Sequence, residues 1–180
     1  ILQIYIITVE MVSSSVSLAY DSPQWVVQKF GGTSVGKFPI DIAQKVVKPW
    51  TKTHNVAVVC SARSTNTKSE GTTTRLLLSS EKAQDGEEFR DILKLIENDH
   101  ISNAQNNIKS STLRDQLIKD SVNEVKDIER LLDACCIIGE ISSKSQDAIM
   151  ACGERLSCLF MSALLNDIGL KSSYINLSNI

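Results

Sequence analysis

The chain has 180 residues, of which 42% are hydrophobic and 22% charged, and its formal net charge is −2. This composition is typical of an ordinary globular protein with one sizeable core. No run of five like charges occurs, so we expect no nucleic-acid partner, no membrane partner and a cytoplasmic location.

The amino-terminal segment ILQIYIITVE is apolar for eight residues and then reaches Glu10. It is much shorter than the roughly 20 residues that span a bilayer, and it has no basic leader. Position 1 is isoleucine, and the first methionine is Met11. We therefore expect residues 1–23 to be a flexible or misassigned lead-in and residues 24–180 to form the domain.

A strand–helix–strand unit follows this lead-in. The run WVVQKF, residues 25–30, is short, apolar and β-branched, which predicts a buried strand. Pro39 opens a segment with helical spacing, and proline suits the first helical position because its φ is already fixed. The second apolar run, residues 55–61, predicts a strand parallel to the first, with a right-handed crossover.

Helices dominate the rest of the chain. TTTRLLLSSEKA predicts a helix from Thr72, and the pattern stays helical between Glu87 and Glu129. Gly139 separates these helices from a longer apolar one that Gly169 ends, at a position that favours a left-handed cap. KSSYINLSNI, residues 171–180, predicts a third strand. A parallel sheet ending there would still need cover on its face and edge, so we expect the front part of a larger protein.

Gly31 to Lys37 matches the phosphate-loop pattern G-x-x-x-x-G-K. A Walker A loop needs a serine or threonine after the lysine to coordinate magnesium, and this chain has Phe38. Phe38 also precedes Pro39, and a residue before proline is disfavoured in a helix. Both observations argue against a Walker A loop.

A different anion site fits these residues better. Gly31 and Gly32 allow a sharp turn, and the amides of residues 31–34 can point at an anion together with the Thr33 and Ser34 hydroxyls. Lys29 lies just before them, at the strand end where ligands of such sheets bind. The alternative is a surface lysine before an ordinary glycine turn. The threonines at 72–74 form either a second anion site at a helix start or simple caps.

Glu154 lies in ACGERLSCLFM, on a helix that is apolar on more than one side. A carboxylate in such a place needs a cation or several hydrogen-bond donors. It fits either a substrate ammonium or a structural partner such as Arg155, Lys29 or a backbone amide. The five cysteines include no C-x-x-C pair, which argues against a zinc site and favours buried free thiols.

Three ordered motifs, KFGGTSV, VVCSARS…TTTRLL and CGERLS, resemble the amino-terminal half of aspartokinases, most closely those of fungi. The resemblance implies a three-layer α/β/α amino-acid kinase fold, here incomplete, with an inserted helical region. It implies transfer of the ATP γ-phosphoryl group to L-aspartate, a reaction that depends on positioning and charge neutralisation.

The resemblance also implies residue roles. Lys29 would contact the transferring phosphoryl group, and the phosphate loop would comprise Lys29, Phe30, Gly31, Gly32, Thr33 and Ser34. Ser61 and Thr74 would contact aspartate, and Glu154 would hold its amino group. ATP and Mg²⁺ would be bound mainly by residues beyond 180, with no metal ligand in this chain, and the parent enzyme is expected to be a homo-oligomer.

We therefore expect an aspartate kinase of which this chain alone lacks activity. Two alternatives stay open. One is a non-catalytic assembly module, or an inactive fragment, on a kinase-like scaffold. The other is a different phosphate-loop NTPase, which would need a magnesium-binding hydroxyl after Lys37 and a strand that ends in aspartate.

Overall fold

The computed structural model describes residues 5–11, 24–64 and 71–177. These residues form a four-stranded sheet with the order β2-β3-β1-β4 and a set of helices around it. The strands are β1 (Tyr5–Val9), β2 (Trp25–Phe30), β3 (Asn55–Cys60) and β4 (Ser172–Asn176). The helices are α1 (Gly32–Lys37), α2 (Pro39–Asp41), a π-helical turn (Ile42–Val47), α3 (Lys48–Trp50), α4 (Thr72–Gln84), α5 (Arg90–Asn107), α6 (Ser111–Ile138) and α7 (Ser143–Asp167).

The predicted strand–helix–strand unit is confirmed. β2 and β3 pair in parallel, from Trp25 opposite Asn55 to Phe30 opposite Cys60. The helical segment that begins at Pro39 connects them. Because parallel strands share a direction, Phe30 and Cys60 end at the same edge of the sheet. The residues that follow these strands are therefore close together.

The prediction that residues 1–23 are a flexible lead-in is wrong for Tyr5–Val9, while residues 1–4 and 12–23 lie outside the described ranges. Tyr5–Val9 forms β1, which pairs antiparallel with β3 on one side and β4 on the other. Ile7 and Val9 are fully buried in the core. Burial alternates along this strand, as expected when one face lies in the core, and its partners lie far along the chain.

The prediction that residues 25–30 form a buried strand is right about the strand and wrong about the burial. β2 lies at the edge of the sheet and pairs with β3 alone among the described strands. Its outward face is open: Trp25 is 58% and Val27 69% exposed. The other face, with Val26 and Phe30, packs against the core.

Helix α7 is the centre of the core. It contacts β1, β3 and β4. Its residues take part in both clusters of buried side chains, one against the sheet and one among α4, α5 and α6. By length and composition α7 is apolar enough to cross a membrane, but 67% of its most apolar window is buried inside the protein. A central core helix has these properties as well.

Two glycines end the long helices as predicted. Gly139 caps α6 with φ +75°, and Gly169 follows α7 with φ +84°. Both angles lie in the left-handed region, which glycine adopts without a Cβ penalty. The α/β class and the helical region between β3 and α7 are also confirmed, consistent with a fragment of an amino-acid kinase fold.

Candidate functional site

The glycine-rich bend is the start of a short helix instead of an irregular loop. Gly31 precedes α1 with extended backbone (φ −73°, ψ 155°), and Gly32 is the first helical residue. The first amides of a helix have no acceptor within it. The N–H groups of Gly32, Thr33 and Ser34 therefore stand at the edge where β2 ends. Thr33 and Ser34 are exposed, so their hydroxyls are available for a ligand.

Two glycines of α1 allow the loop after β3 to pack directly on it. A Cβ on Gly32 would lie 1.9 Å from the carbonyl oxygen of Ala62, and one on Gly36 would lie 1.9 Å from that of Ser64. The Ser64 N–H also donates to the Gly32 carbonyl over 3.1 Å. A Cβ on Gly31 would meet nothing within 4 Å.

Backbone hydrogen bonds fix the loop of residues 61–64. The Ser61 N–H donates to the Phe30 carbonyl (3.0 Å), and the Thr72 N–H donates to the Arg63 carbonyl (3.2 Å). The Arg63 N–H donates to Ser157 Oγ on α7 (2.8 Å). The loop is thus tied to β2, to the start of α4 and to α7, which makes it the junction of the site.

A concavity of about 280 Å³ opens between α1, this loop and the start of α4. It is lined by Gly32, Thr33, Ala62, Arg63, Ser64, Gly71, Thr73 and Thr74. Four residues that the sequence identified line it: Gly32, Thr33, Thr73 and Thr74. The others lie around it at the same sheet edge without lining it: Lys29, Phe30, Gly31, Ser34, Ser61 and Glu154.

Glu154 is partly buried on α7 and reaches this loop. Burial raises the pKa of its carboxyl group, and the backbone N–H groups of Glu154 itself and of Ala62, together with Arg155, oppose this shift. Of the partners considered from the sequence, the backbone amide is the one that the structure provides. Arg155 instead binds Glu124 (2.6 Å) and the Tyr5 hydroxyl (3.0 Å).

The two lysines of the region lie at different places. Lys29 is exposed near the end of β2, because β2 is an edge strand and not the buried strand that the sequence predicts. It is close enough to Cys60 to act on it electrostatically. Lys37 lies in the last turn of α1, at the opposite end from the first amides, and Phe38 after it is 56% exposed. The position of Lys37 does not fit a Walker A lysine, because a Walker A lysine lies at the start of the helix that follows the loop.

Sequence reasoning missed a buried polar cluster beneath the concavity. Arg63 is 6% exposed, and its guanidinium binds the carboxylate and carbonyl of Asp99 on α5. Its Nε has no hydrogen-bond partner among the described residues. The adjacent His100 is buried, 3.4 Å from Thr72 Oγ1 at the start of α4. Burial and the nearby Arg63 charge lower the pKa of His100 to about 4.

The signal for Arg63 was present in the sequence, because it follows a predicted strand just as Ser61 does. Asp99 and His100 lie mid-helix and gave no such signal. Among the described residues, no group of three histidines, cysteines, aspartates or glutamates is arranged to hold a metal ion.

The comparisons with known proteins agree with the motifs. Residues 24–180 match the model of the amino acid kinase family. The chain is 54% identical to the aspartokinase of Candida albicans, 51% to that of Saccharomyces cerevisiae and 46% to that of Schizosaccharomyces pombe. These alignments cover 87%, 87% and 88% of the chain, and 28%, 30% and 31% of the respective relatives.

The predicted resemblance to fungal aspartokinases is therefore confirmed, and the chain spans less than a third of the length of these curated relatives. Amino acid kinases are transferases, and the phosphate-binding role of the α1 bend stays a prediction. The chain belongs to the amino acid kinase family.

Proposed function

We propose that this chain is the amino-terminal part of an aspartate kinase, which phosphorylates L-aspartate to 4-phospho-L-aspartate with ATP, the first step in making aspartate-derived amino acids. One observation supports this most: the first turn of α1, the loop after β3 and the start of α4 share one concavity. Glu154 binds the backbone of the same loop.

The residues around this concavity suit an anionic ligand. Arg63 lines it, and the Nε–H of this buried cation has no partner among the described residues. The first amides of α1 and the exposed Thr33 and Ser34 hydroxyls add donors. Such donors and a nearby cation are what phosphoryl and carboxylate groups bind. The Mg²⁺ of the reaction would be bound mainly by other parts of the enzyme.

Each side chain then has a definite task. ATP with Mg²⁺ supplies the phosphoryl group and part of the charge neutralisation. The Lys29 ammonium neutralises charge on the transferring group, and the amides of Gly32, Thr33 and Ser34 orient it. Ser61 and Thr74 donate hydrogen bonds to the carboxylates of aspartate.

Glu154 accepts hydrogen bonds from the substrate ammonium. The Ala62 N–H is close enough to favour its charged form, so the substrate ammonium would lie near the loop that carries Ser61. A carboxylate already oriented by a backbone donor loses little freedom when the substrate binds.

A chimaera tests this function. The aligned segment of the Candida albicans relative is replaced by this chain, and ATP- and L-aspartate-dependent turnover is measured by trapping the acyl phosphate with hydroxylamine. We expect turnover from the chimaera and none from the 180-residue chain alone. Turnover by the chain alone would contradict the proposal that other parts of the enzyme complete the active site. A folded but inactive chimaera would favour the non-catalytic alternative.

Lys29→Met in the chimaera is expected to lower kcat by roughly 100-fold or more, because an electrostatic contact to the transferring group is lost. Lys37→Met is the matched control, since it removes an exposed lysine eight positions further on, and should change kcat little. If Lys37→Met abolishes turnover and Lys29→Met does not, the lysine assignment is wrong and a Walker-type loop is favoured.

A further inference from the structure

Two buried thiols meet where β3 ends against α7. Cys60 is the last residue of β3 and 2% exposed, and Cys158 on α7 is fully buried. The two cysteines belong to the same cluster of buried side chains, and their thiols are close enough to shift each other's pKa. The Cys158 thiol lies 3.8 Å from the carbonyl oxygen of Tyr5, to which it donates a hydrogen bond. Both cysteines are free.

The sulfurs are held together by rigid elements. Cys60 and Tyr5 belong to neighbouring strands β3 and β1, and α7 packs on both. Tyr5, whose carbonyl oxygen the Cys158 thiol contacts, lies on the strand that pairs with the strand of Cys60. A disulfide needs its two sulfurs adjacent and its Cα atoms about 4.4–6.8 Å apart. The packing of α7 on β1 and β3 brings the two cysteines to the same part of the core.

The other cysteines lack this arrangement. Cys152 lies on α7 six residues before Cys158, which separates them by roughly 9 Å along the helix axis. Cys135 and Cys136 are neighbours near the end of α6, and adjacent helical residues point to different sides.

We propose that Cys60 and Cys158 are an oxidisable pair that forms an intramolecular disulfide with hydrogen peroxide. The bond would link β3, immediately before Ser61, to α7, one turn after Glu154. It would therefore fix two elements of the candidate site to each other.

The chemistry assigns a different part to each sulfur. The Cys158 thiolate attacks one peroxide oxygen, the O–O bond breaks, and the departing hydroxide takes up a proton to give water and a sulfenic acid. The Cys60 sulfur then attacks the sulfenic sulfur, the S–O bond breaks, and hydroxide leaves with the Cys60 proton as water. Two thiols and one peroxide thus give one disulfide and two waters.

The pKa shifts of the two thiols agree with this order. The interaction with Cys60 lowers the pKa of Cys158, while the interaction with Cys158 and burial raise the pKa of Cys60. The thiolate is the reactive form, so Cys158 is the attacking sulfur and Cys60 the resolving one. Burial makes the reaction slow without preventing it, because peroxide is small.

The test uses the folded 180-residue chain. It is treated with hydrogen peroxide, its remaining thiols are blocked by alkylation under denaturing conditions, and it is digested without reduction for mass spectrometry. We expect a peptide pair joined through Cys60 and Cys158, lighter by two hydrogen atoms than the separate peptides and released by dithiothreitol. In Cys60→Ser, the sulfenic acid of Cys158 should be trapped by dimedone.

Cys152→Ser is the matched control, because Cys152 is equally buried on the same helix, and it should leave the cross-link intact. The proposal is overturned if Cys136, which is partly exposed, is oxidised while Cys60 and Cys158 both remain alkylatable. It is also overturned if the cross-link forms only after the chain is unfolded in urea. The decisive peptide comes from the unmutated protein, so the test does not depend on whether a serine variant folds.

Discussion

Replacing Gly32 by alanine is expected to lower the free energy of unfolding by about 2 kcal/mol. The added Cβ would lie 1.9 Å from the Ala62 carbonyl oxygen. That oxygen belongs to a loop tied to β2, α4 and α7, so it cannot move away freely. Alanine improves helix propensity by up to about 1 kcal/mol, which reduces the loss without reversing it.

Gly31→Ala is the matched control, because a Cβ at Gly31 meets nothing within 4 Å. It should change the free energy of unfolding by less than about 1 kcal/mol, the usual range for a helix N-cap position. Urea unfolding of the two variants and the unmutated chain measures both. Equal losses in the two variants would show that the loop does not pack on Gly32 as described.

Acidification is expected to destabilise the protein through His100. The pKa of His100 in the folded protein is about 4, below its ordinary 6.5, because burial disfavours the charged ring and Arg63 repels it. Between these values the unfolded chain takes up a proton that the folded protein does not. The stability that His100 contributes is present above pH 6.5 and is lost as pH falls to about 4. The loss amounts to about 3 kcal/mol.

His100→Gln isolates this contribution, since glutamine does not titrate and can still hydrogen-bond to Thr72 Oγ1. Urea unfolding of both proteins between pH 7 and pH 4 gives the difference in their free energies of unfolding. We expect the advantage of histidine over glutamine to shrink by about 3 kcal/mol across this range. A constant difference would mean that His100 is not buried as a neutral ring.

Local patterns predicted those parts of the fold that depend on neighbouring residues. The strand at Trp25–Phe30, the helix at Thr72 and the glycines that end α6 and α7 all follow from spacing and backbone preference. The exposure of β2 did not, because an apolar run looks the same at the edge of a sheet as in its centre. β1 was missed because its partners β3 and β4 lie far along the chain.

In the candidate site, too, the sequence predicted features that depend on neighbouring residues and missed those that depend on distant ones. The motifs identified Gly32, Thr33 and Thr74, which the structure brings to one concavity. They identified Glu154 but not its partner, because the Ala62 amide lies 92 positions away. The Arg63–Asp99 ion pair was invisible for the same reason. Long-range pairings of this kind leave no periodic signal in the sequence.

The Michaelis constant of a Glu154→Gln chimaera for L-aspartate shows whether this chain holds the substrate, because Glu154 is assigned to the substrate ammonium. We predict a rise of roughly 10- to 100-fold, the loss of one hydrogen bond between charged groups, with the KM for ATP unchanged. Glu140→Gln, at an exposed glutamate outside the site, should change neither. An unchanged KM for aspartate, or an equal rise for ATP, would contradict the assignment.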